Sequence, residues 1–396
     1  MILHRGRWTP QDRAEAVYRY LPFEVPPGAE GISVRYGYEH GPHAILDLGV
    51  VDPERFRGWS GSERRRVLIG FRSATPGYLA GPLPAGQWHV LIGLYRVPPE
   101  GVAYEVEIDL GAVEPERLPA PPARPERPPP RDLPAAPGRR WLAGDLHSHT
   151  VHSDGVLTPG ALGCLAAERG LDFLAVTDHN SVAHHPHLPL AGAHAGILLL
   201  PGQEVTSYEG HANALGALPW IDFREPSDGW LAAVEAGGGL LSINHPVADP
   251  CSWHRPVTRR PPLAEVWHSS WDRRGDAPLD WWAAWGGVPV GGSDFHRPGS
   301  DGLPGQPTTW VEAEELSLHA IVAALGAGRV AISAGPRAPV AVRHEDGIVA
   351  LGAAGSTLVG PDGFRRSIRD ERERVPAGRG PYRLVDPGGL TLSLIP

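Results

Sequence analysis

Two histidines at alternate positions, His147 and His149 in the run from Gly144 to Thr150, are of a type and spacing that can share a metal ion. The apolar-flanked stretch from Trp141 to Leu146 reads as a buried strand, and in extended backbone side chains i and i+2 lie on one face. Such a pair alone is more often a hydrogen-bonded strand end. Here the signature recurs downstream in Asp178-His179, Glu204, His211, Asn244-His245, and Asp294 with His296. These residues are expected just past the C-terminal ends of apolar strands, where barrel enzymes build their sites. Nine imidazole and carboxylate donors, Asn244 set aside, exceed what one mononuclear zinc site uses. Imidazole and carboxylate together suit zinc, manganese or iron, and neither Cys164 nor Cys251 joins the pattern.

The elements that must position these donors alternate strand, loop and helix from Trp141 onward. Thr158 and Pro159 supply an N-cap and an N1 proline, the helix runs to Arg169, and Gly170 sits where a C′ glycine belongs. Apolar strands are predicted at 171–176, 197–200, 239–243, 264–267, 288–291 and 308–311. Helices are predicted from a Ser227 cap through Glu235 and over 315–325. Near-continuous apolar strands alternating with helices imply a parallel sheet covered on both faces or closed into a barrel. Residues 336–396 read as a small β appendage, with Phe364 to Val375 charged and exposed.

The first part differs. Residues 1–112 alternate short β-branched and aromatic runs with proline and glycine, which predicts an N-terminal antiparallel β-sandwich or jelly roll. Residues 113–140 are a proline-rich linker, either a stiff spacer or an extended segment lying along a surface. At 396 residues the chain exceeds one ordinary core. The boundaries read from this are 1–112, 113–140, 141–335 and 336–396. Residues 138–396 are expected to retain metal and hydrolytic activity without the N-terminal region, whose His40 and His43 lack partners at ligand spacing.

A net charge of −9 argues against nucleic acid as the main partner. No run of 18 apolar residues appears and no apolar segment comes after Met1. A cytoplasmic protein acting on a small molecule, without membrane contact, is the expectation.

At Asp145-Leu-His-Ser-His-Thr, Ser153-Asp-Gly, Thr177-Asp-His-Asn, Gly202-Gln-Glu-Val, Asn244-His-Pro and Ser293-Asp-Phe-His the chain resembles the polymerase and histidinol phosphatase (PHP) family of metallohydrolases. These motifs stand in the family's order over residues 141–335. The stretch Gly210-His-Ala-Asn-Ala-Leu-Gly and the N-terminal β region resemble the carbaryl-hydrolase-like branch, CehA/McbA. The resemblance implies an α/β fold with a distorted seven-stranded (β/α) PHP barrel. It implies that His147, His149, Glu204 and Asp294 hold a first metal. Glu204 would bridge to a second completed by His211 and His245, and Asp154, His179 and His296 would hold a third. A carboxylate has two oxygens, which makes the bridging role physically reasonable.

Other residues have candidate roles in catalysis. Asp178 can orient a neighbouring ligand, against a plain turn residue. His184 and His185 can protonate a leaving group, against ordinary rim residues. His268 comes just after a strand and can face substrate, where the branch carries an amide residue nearby. His152 reads as a loop residue, and His187, His194, His254 and His319 as surface. Trp267, Trp271, Trp281, Trp282 and Trp285 read as packing rather than as a wall for an aromatic leaving group.

The chemistry expected is hydrolysis by hydroxide held on a multinuclear metal site, with a phosphoester as the leading substrate. Hydrolysis of a carbamate or carboxylic ester is the alternative enzyme reading. A non-catalytic PHP module carrying a binding β-domain is the alternative of a different class.

Overall fold

The computed structural model describes residues 1–114, 118–299 and 302–396. They fall into two units. The first holds Met1–Pro119 with two pieces from later in the chain, Val151–Asp154 and Asp178–His184. The second holds Ala120–Thr150, Gly155–Thr177 and His185–Pro396.

In the first unit, alternating residues make two four-stranded antiparallel sheets. One runs Ile2–Trp8, Val102–Leu110, Gly31–Tyr38, Arg66–Gly70; the other runs Tyr18–Val25, Gly86–Arg96, Ile45–Val51, Phe56–Trp59. Ile32, Val34, Val106 and Ile108 of the first share a core with Leu48, Val50, Val90 and Ile92 of the second. One short helix, Pro10–Glu15, is held by a Thr9–Asp12 capping box.

The two later pieces are fastened to this unit through its Gly77. The Gly77 N–H donates to His152 Nδ1 (3.1 Å), and its carbonyl accepts from Ser181 Oγ (3.0 Å). Gly77 has φ +90°, and a Cβ there would lie 2.3 Å from the His152 carbonyl oxygen. Only glycine permits this approach.

The second unit is built on a thirteen-stranded mixed sheet. Arg140–Asp145, Phe173–Val176 and Leu198–Ser207 are parallel neighbours, as are Leu240–Ile243, Leu263–His268 and Val288–Gly292. Between these triplets lies Gly210–Leu215, antiparallel to both flanking strands. The parallel sheet expected from strands alternating with helices is therefore a mixed one. Two residues, Tyr208 and Glu209, separate Ser207 from Gly210, enough for a hairpin and far too few for a crossover helix.

Thr308–Ala313 runs antiparallel to Arg140–Asp145. Its Thr309 hydroxyl accepts from the Gly291 N–H (2.7 Å) and donates to the Gly291 carbonyl (2.8 Å). The first strand of the sheet is thereby linked to the eighth by a side chain rather than by a ladder.

Helix Pro159–Glu168 starts from Thr158, whose hydroxyl accepts from Ala161 N–H, and Gly170 lies beyond its end at φ +91°. The Ser227 cap is corrected. Ser227 is the first helical residue of Ser227–Ala236, and its hydroxyl accepts from Arg255 Nε instead (2.9 Å). The last helix is Leu318–Gly326, capped by Ser317. Two helices without a clear sequence signal are Leu188–Ala195 and Ala277–Trp285.

The part of the proline-rich stretch at 115–117 lies outside the described residues. Residues 120–139 lie along the second unit. Arg127 donates to the Leu171 carbonyl (2.8 Å) and pairs with Asp172, Arg131 donates to the Ala338 carbonyl, and Leu133 is buried. Residues 336–396 are less separate than expected, because Thr391–Ile395 pairs with Val330–Ser333 and continues the main sheet. Among the described residues no helix is long and apolar enough to cross a membrane.

Candidate metal centre

The centre lies in the second unit, and local backbone chemistry sets its residues. Asp145 ends its strand fully buried, and its carboxylate accepts from the N–H groups of His147 (3.1 Å), Ser293 (3.0 Å) and Gly305 (2.8 Å). Burial nevertheless pushes the Asp145 carboxyl up from its ordinary value. Asp294 stands just past Val288–Gly292 at φ +52°, with its N–H on the His147 carbonyl (3.0 Å). Glu204 and His211 are not beyond strand ends. They sit inside the antiparallel hairpin, Glu204 opposite Asn213 and His211 opposite Thr206.

His147, His149, Glu204 and Asp294 converge, with one donor atom from each inside a 4.8 Å cluster. His147 Nε2 lies 3.1 Å from Asp294 Oδ1 and 3.3 Å from Glu204 Oε1. His149 Nε2 lies 2.9 Å from Asp294 Oδ1 and 3.5 Å from Glu204 Oε2. Ligands ~2.1 Å from a tetrahedral ion stand ~3.4 Å apart, so these spacings fit a shared divalent cation. The donor set, two imidazoles and two carboxylates with no thiolate, suits zinc, manganese or iron.

Glu204 is the hub. Its Oε1 accepts from Asn244 Nδ2 (2.8 Å) and lies 3.1 Å from His211 Nδ1 and 3.3 Å from His245 Nε2. Burial opposes charging of His147, but Asp294, Glu204 and Glu265 outweigh it and hold the imidazole well above its ordinary value. Burial likewise opposes charging of His245, and its bond to Glu204 raises it. Burial disfavours the Asp294 carboxylate, yet His147, His149 and His268 hold it well below the usual range. A pocket this rich in buried carboxylate calls for positive charge, which protons or a dication can supply.

The remaining expected residues are spread over both units. His296 stacks on His149 with ring centroids 4.2 Å apart, and its Nδ1 donates to the Asp294 carbonyl (2.8 Å). Asp154 and His179 belong to the first unit and lie 3.6 Å apart. Asp178 accepts from Ser153 Oγ (2.7 Å) and lies 3.2 Å from His184 Nδ1. His184 is completely buried and is therefore not a rim residue. His185 bonds the Gly202 carbonyl (3.0 Å).

His268 reaches Asp294 Oδ2 through Nε2 (3.2 Å) and Ser270 Oγ through Nδ1 (2.7 Å). His187, His254 and His319 are exposed. Trp271, Trp281, Trp282 and Trp285 pack with buried Trp267 in one cluster. A cavity of about 220 Å³ opens beside His245 and His268, walled by Pro246, Val247, Trp271 and Pro278.

Sequence reasoning missed Glu265, a buried carboxylate 3.0 Å from His147 Nδ1. Its available signal was a single acid inside the apolar run Leu263-Ala-Glu-Val-Trp.

No family model matches the chain. A segment is 43% identical over 86 residues to the 5'-3' exoribonuclease Rnm of Salmonella typhimurium, and another match is 40% identical over 67 residues to the 5'-3' exoribonuclease of Haemophilus influenzae. These matches take in 21% and 17% of this chain, and span only 29% and 24% of those relatives. Among solved structures, a two-domain protein of Bacteroides vulgatus, described as containing a predicted PHP-like metal-dependent phosphoesterase, is 19% identical. It covers 68% of this chain and 98% of its own, with a TM-score of 0.44. An amidohydrolase of Chromobacterium violaceum with bound sulfate and no metal is 18% identical, over 47% of this chain and 96% of its own, with a TM-score of 0.32. The chain is thus similar, over parts of its length, to exoribonucleases, to a predicted PHP-like metal-dependent phosphoesterase and to an amidohydrolase.

Proposed function

We propose that the chain is a metal-dependent hydrolase of the PHP type that cleaves phosphoesters of small molecules. The curled part of the main sheet would serve as its barrel. The observation that carries this reading is the convergence of His147, His149, Glu204 and Asp294 at ligand spacing. Bound divalent ions would acidify water and offset charge building on a phosphoryl oxygen.

The chain's own residues divide the remaining work. Glu204 presents both carboxylate oxygens to the histidines around it and would serve as a bridging ligand. His268, at the mouth of the cavity and bonded to Asp294, is placed to hold a proton for a leaving oxygen. Among the described residues that line the cavity there is no arginine or lysine, which favours a compact uncharged substituent over a polyanion.

A second reading, cleavage of a nucleotide phosphodiester, is favoured by the segment identity to exoribonucleases. Elemental analysis of the purified protein, followed by aryl phosphate, nucleotide, aryl ester and aryl carbamate substrates, tests both. Metal bound with phosphate-ester turnover is the expected result. Turnover of carboxylic or carbamic esters alone would replace the phosphoesterase reading.

A further inference from the structure

The geometry points to Glu265 as the positioning residue that decides which ring nitrogen His147 presents to the metal site. The inference rests on the reading of the donor quartet as a metal centre. Glu265 is 3% exposed, in the strand Leu263–His268, where every neighbour up to Trp267 is apolar and buried. A carboxylate in such a place is costly unless each oxygen has a partner. Both have one. Oε1 lies 3.0 Å from His147 Nδ1, and Oε2 accepts the backbone N–H of His245 at 2.8 Å.

With Oε1 as the acceptor of the 3.0 Å contact, the proton lies on His147 Nδ1. Nε2, which faces Glu204 and Asp294, is then left with its lone pair for a cation. The same carboxylate ties down His245, whose backbone sits at φ +29°, a strained value for a residue with a side chain. One buried acid thus fixes two histidines of the centre.

Two independent features keep Glu265 aimed inward. The pairing of its strand with Val288–Gly292 slips between Glu265 and Trp267, an irregularity of the kind that re-aims a side chain beside a site. Gly292 makes the room, since a Cβ there would lie 2.2 Å from Glu265 Oε1 and 2.5 Å from His147 Cβ.

The test uses the full-length protein, zinc as the probe, and NMR of the histidine ring nitrogens. In zinc-loaded wild type, His147, assigned by its loss in His147→Gln, should show a protected Nδ1–H. A His147 bearing its proton on Nε2 overturns the proposal without any variant at Glu265. In Glu265→Gln the amide must either donate to Nδ1 or face the His245 N–H with a second donor. Zinc affinity, measured by chelator competition, should fall about 10–100-fold with an unchanged circular dichroism spectrum. Glu265→Asp, which keeps the charge, should recover part of that loss. Wild-type zinc affinity in Glu265→Gln overturns the role of Glu265 while leaving the metal reading intact. A wild-type protein that binds no zinc, manganese or iron overturns the metal reading and this inference with it.

Discussion

His268 Nε2 stands 3.2 Å from Oδ2 of Asp294, the oxygen that the quartet histidines do not use. Asp294 therefore serves the centre through Oδ1 and grips a further imidazole through Oδ2. That second imidazole borders the cavity and has its other nitrogen on Ser270. It is oriented from both sides, and to give a proton to a leaving oxygen it must release one of those two bonds.

If His268 protonates the leaving oxygen, His268→Asn should lower kcat by about 10²–10⁴-fold on esters with poor leaving groups. On an activated nitrophenyl ester the loss should nearly vanish, because that leaving group needs no proton. An equal loss on both substrates would reduce His268 to a support for Asp294. Steady-state kinetics over a leaving-group series reads the difference.

Glu204→Gln keeps size and hydrogen-bonding atoms but removes the charge that faces four histidines in the second unit. Metal per chain and turnover should fall together, the latter by at least ~10²–10³. Normal stoichiometry with near-normal turnover would remove Glu204 from the bridging role. Elemental analysis alongside kinetics settles it.

Removal of metal should make stability depend on pH in a defined direction. His147 and His245 lie above their ordinary values, so their stabilisation is fully present below the unfolded value of ~6.5 and is lost as pH rises through the raised folded values. Asp294 lies below its ordinary value, so its contribution is present above ~3.9 and is lost as pH falls through the folded value. The stripped protein should be most stable between roughly pH 4 and 6.5 and should melt progressively earlier as pH rises through the raised values of His147 and His245. Saturating zinc should abolish the alkaline loss, and calorimetry with and without zinc measures it.

Gly77→Ala should destabilise the first unit by about 1–3 kcal/mol, from positive φ and from the clash with the His152 carbonyl. The pieces 151–154 and 178–184 belong to that unit and carry Asp154 and His179. A fragment of residues 138–396, expected from the sequence to keep all its metal, should instead bind less than the full chain, because those pieces lose Gly77 as their anchor. Melting curves and metal content of the two proteins test both points.

How much of this is legible in the sequence varies residue by residue. The His147/His149 pair, Asp294 and Thr158-Pro159-Gly170 can be read because they depend on local rules: alternation in extended chain, strand-end position and helix capping. Composition likewise separates the sandwich strands from the strands beyond the proline-rich stretch. Other features depend on partners remote in sequence. Ser227 looks like a cap until Arg255 takes its hydroxyl. The strand 198–207 runs past its apolar run because Gly210–Leu215 pairs with it, which puts Glu204 and His211 in a hairpin rather than in loops. His184 has the sequence of a rim residue and the burial of a core one, since Asp178 partners it.

Donor types, their order and the presence of two periodicities can be read from the residues alone. Folding is what sets Glu265 against His147, puts His268 on Asp294, and has Gly77 hold the loops of Asp154 and His179. The reason is physical. Donor chemistry is a property of each side chain, whereas a hydrogen bond between residues 118 positions apart, as between His147 and Glu265, exists only once the sheet has brought them within 3.0 Å.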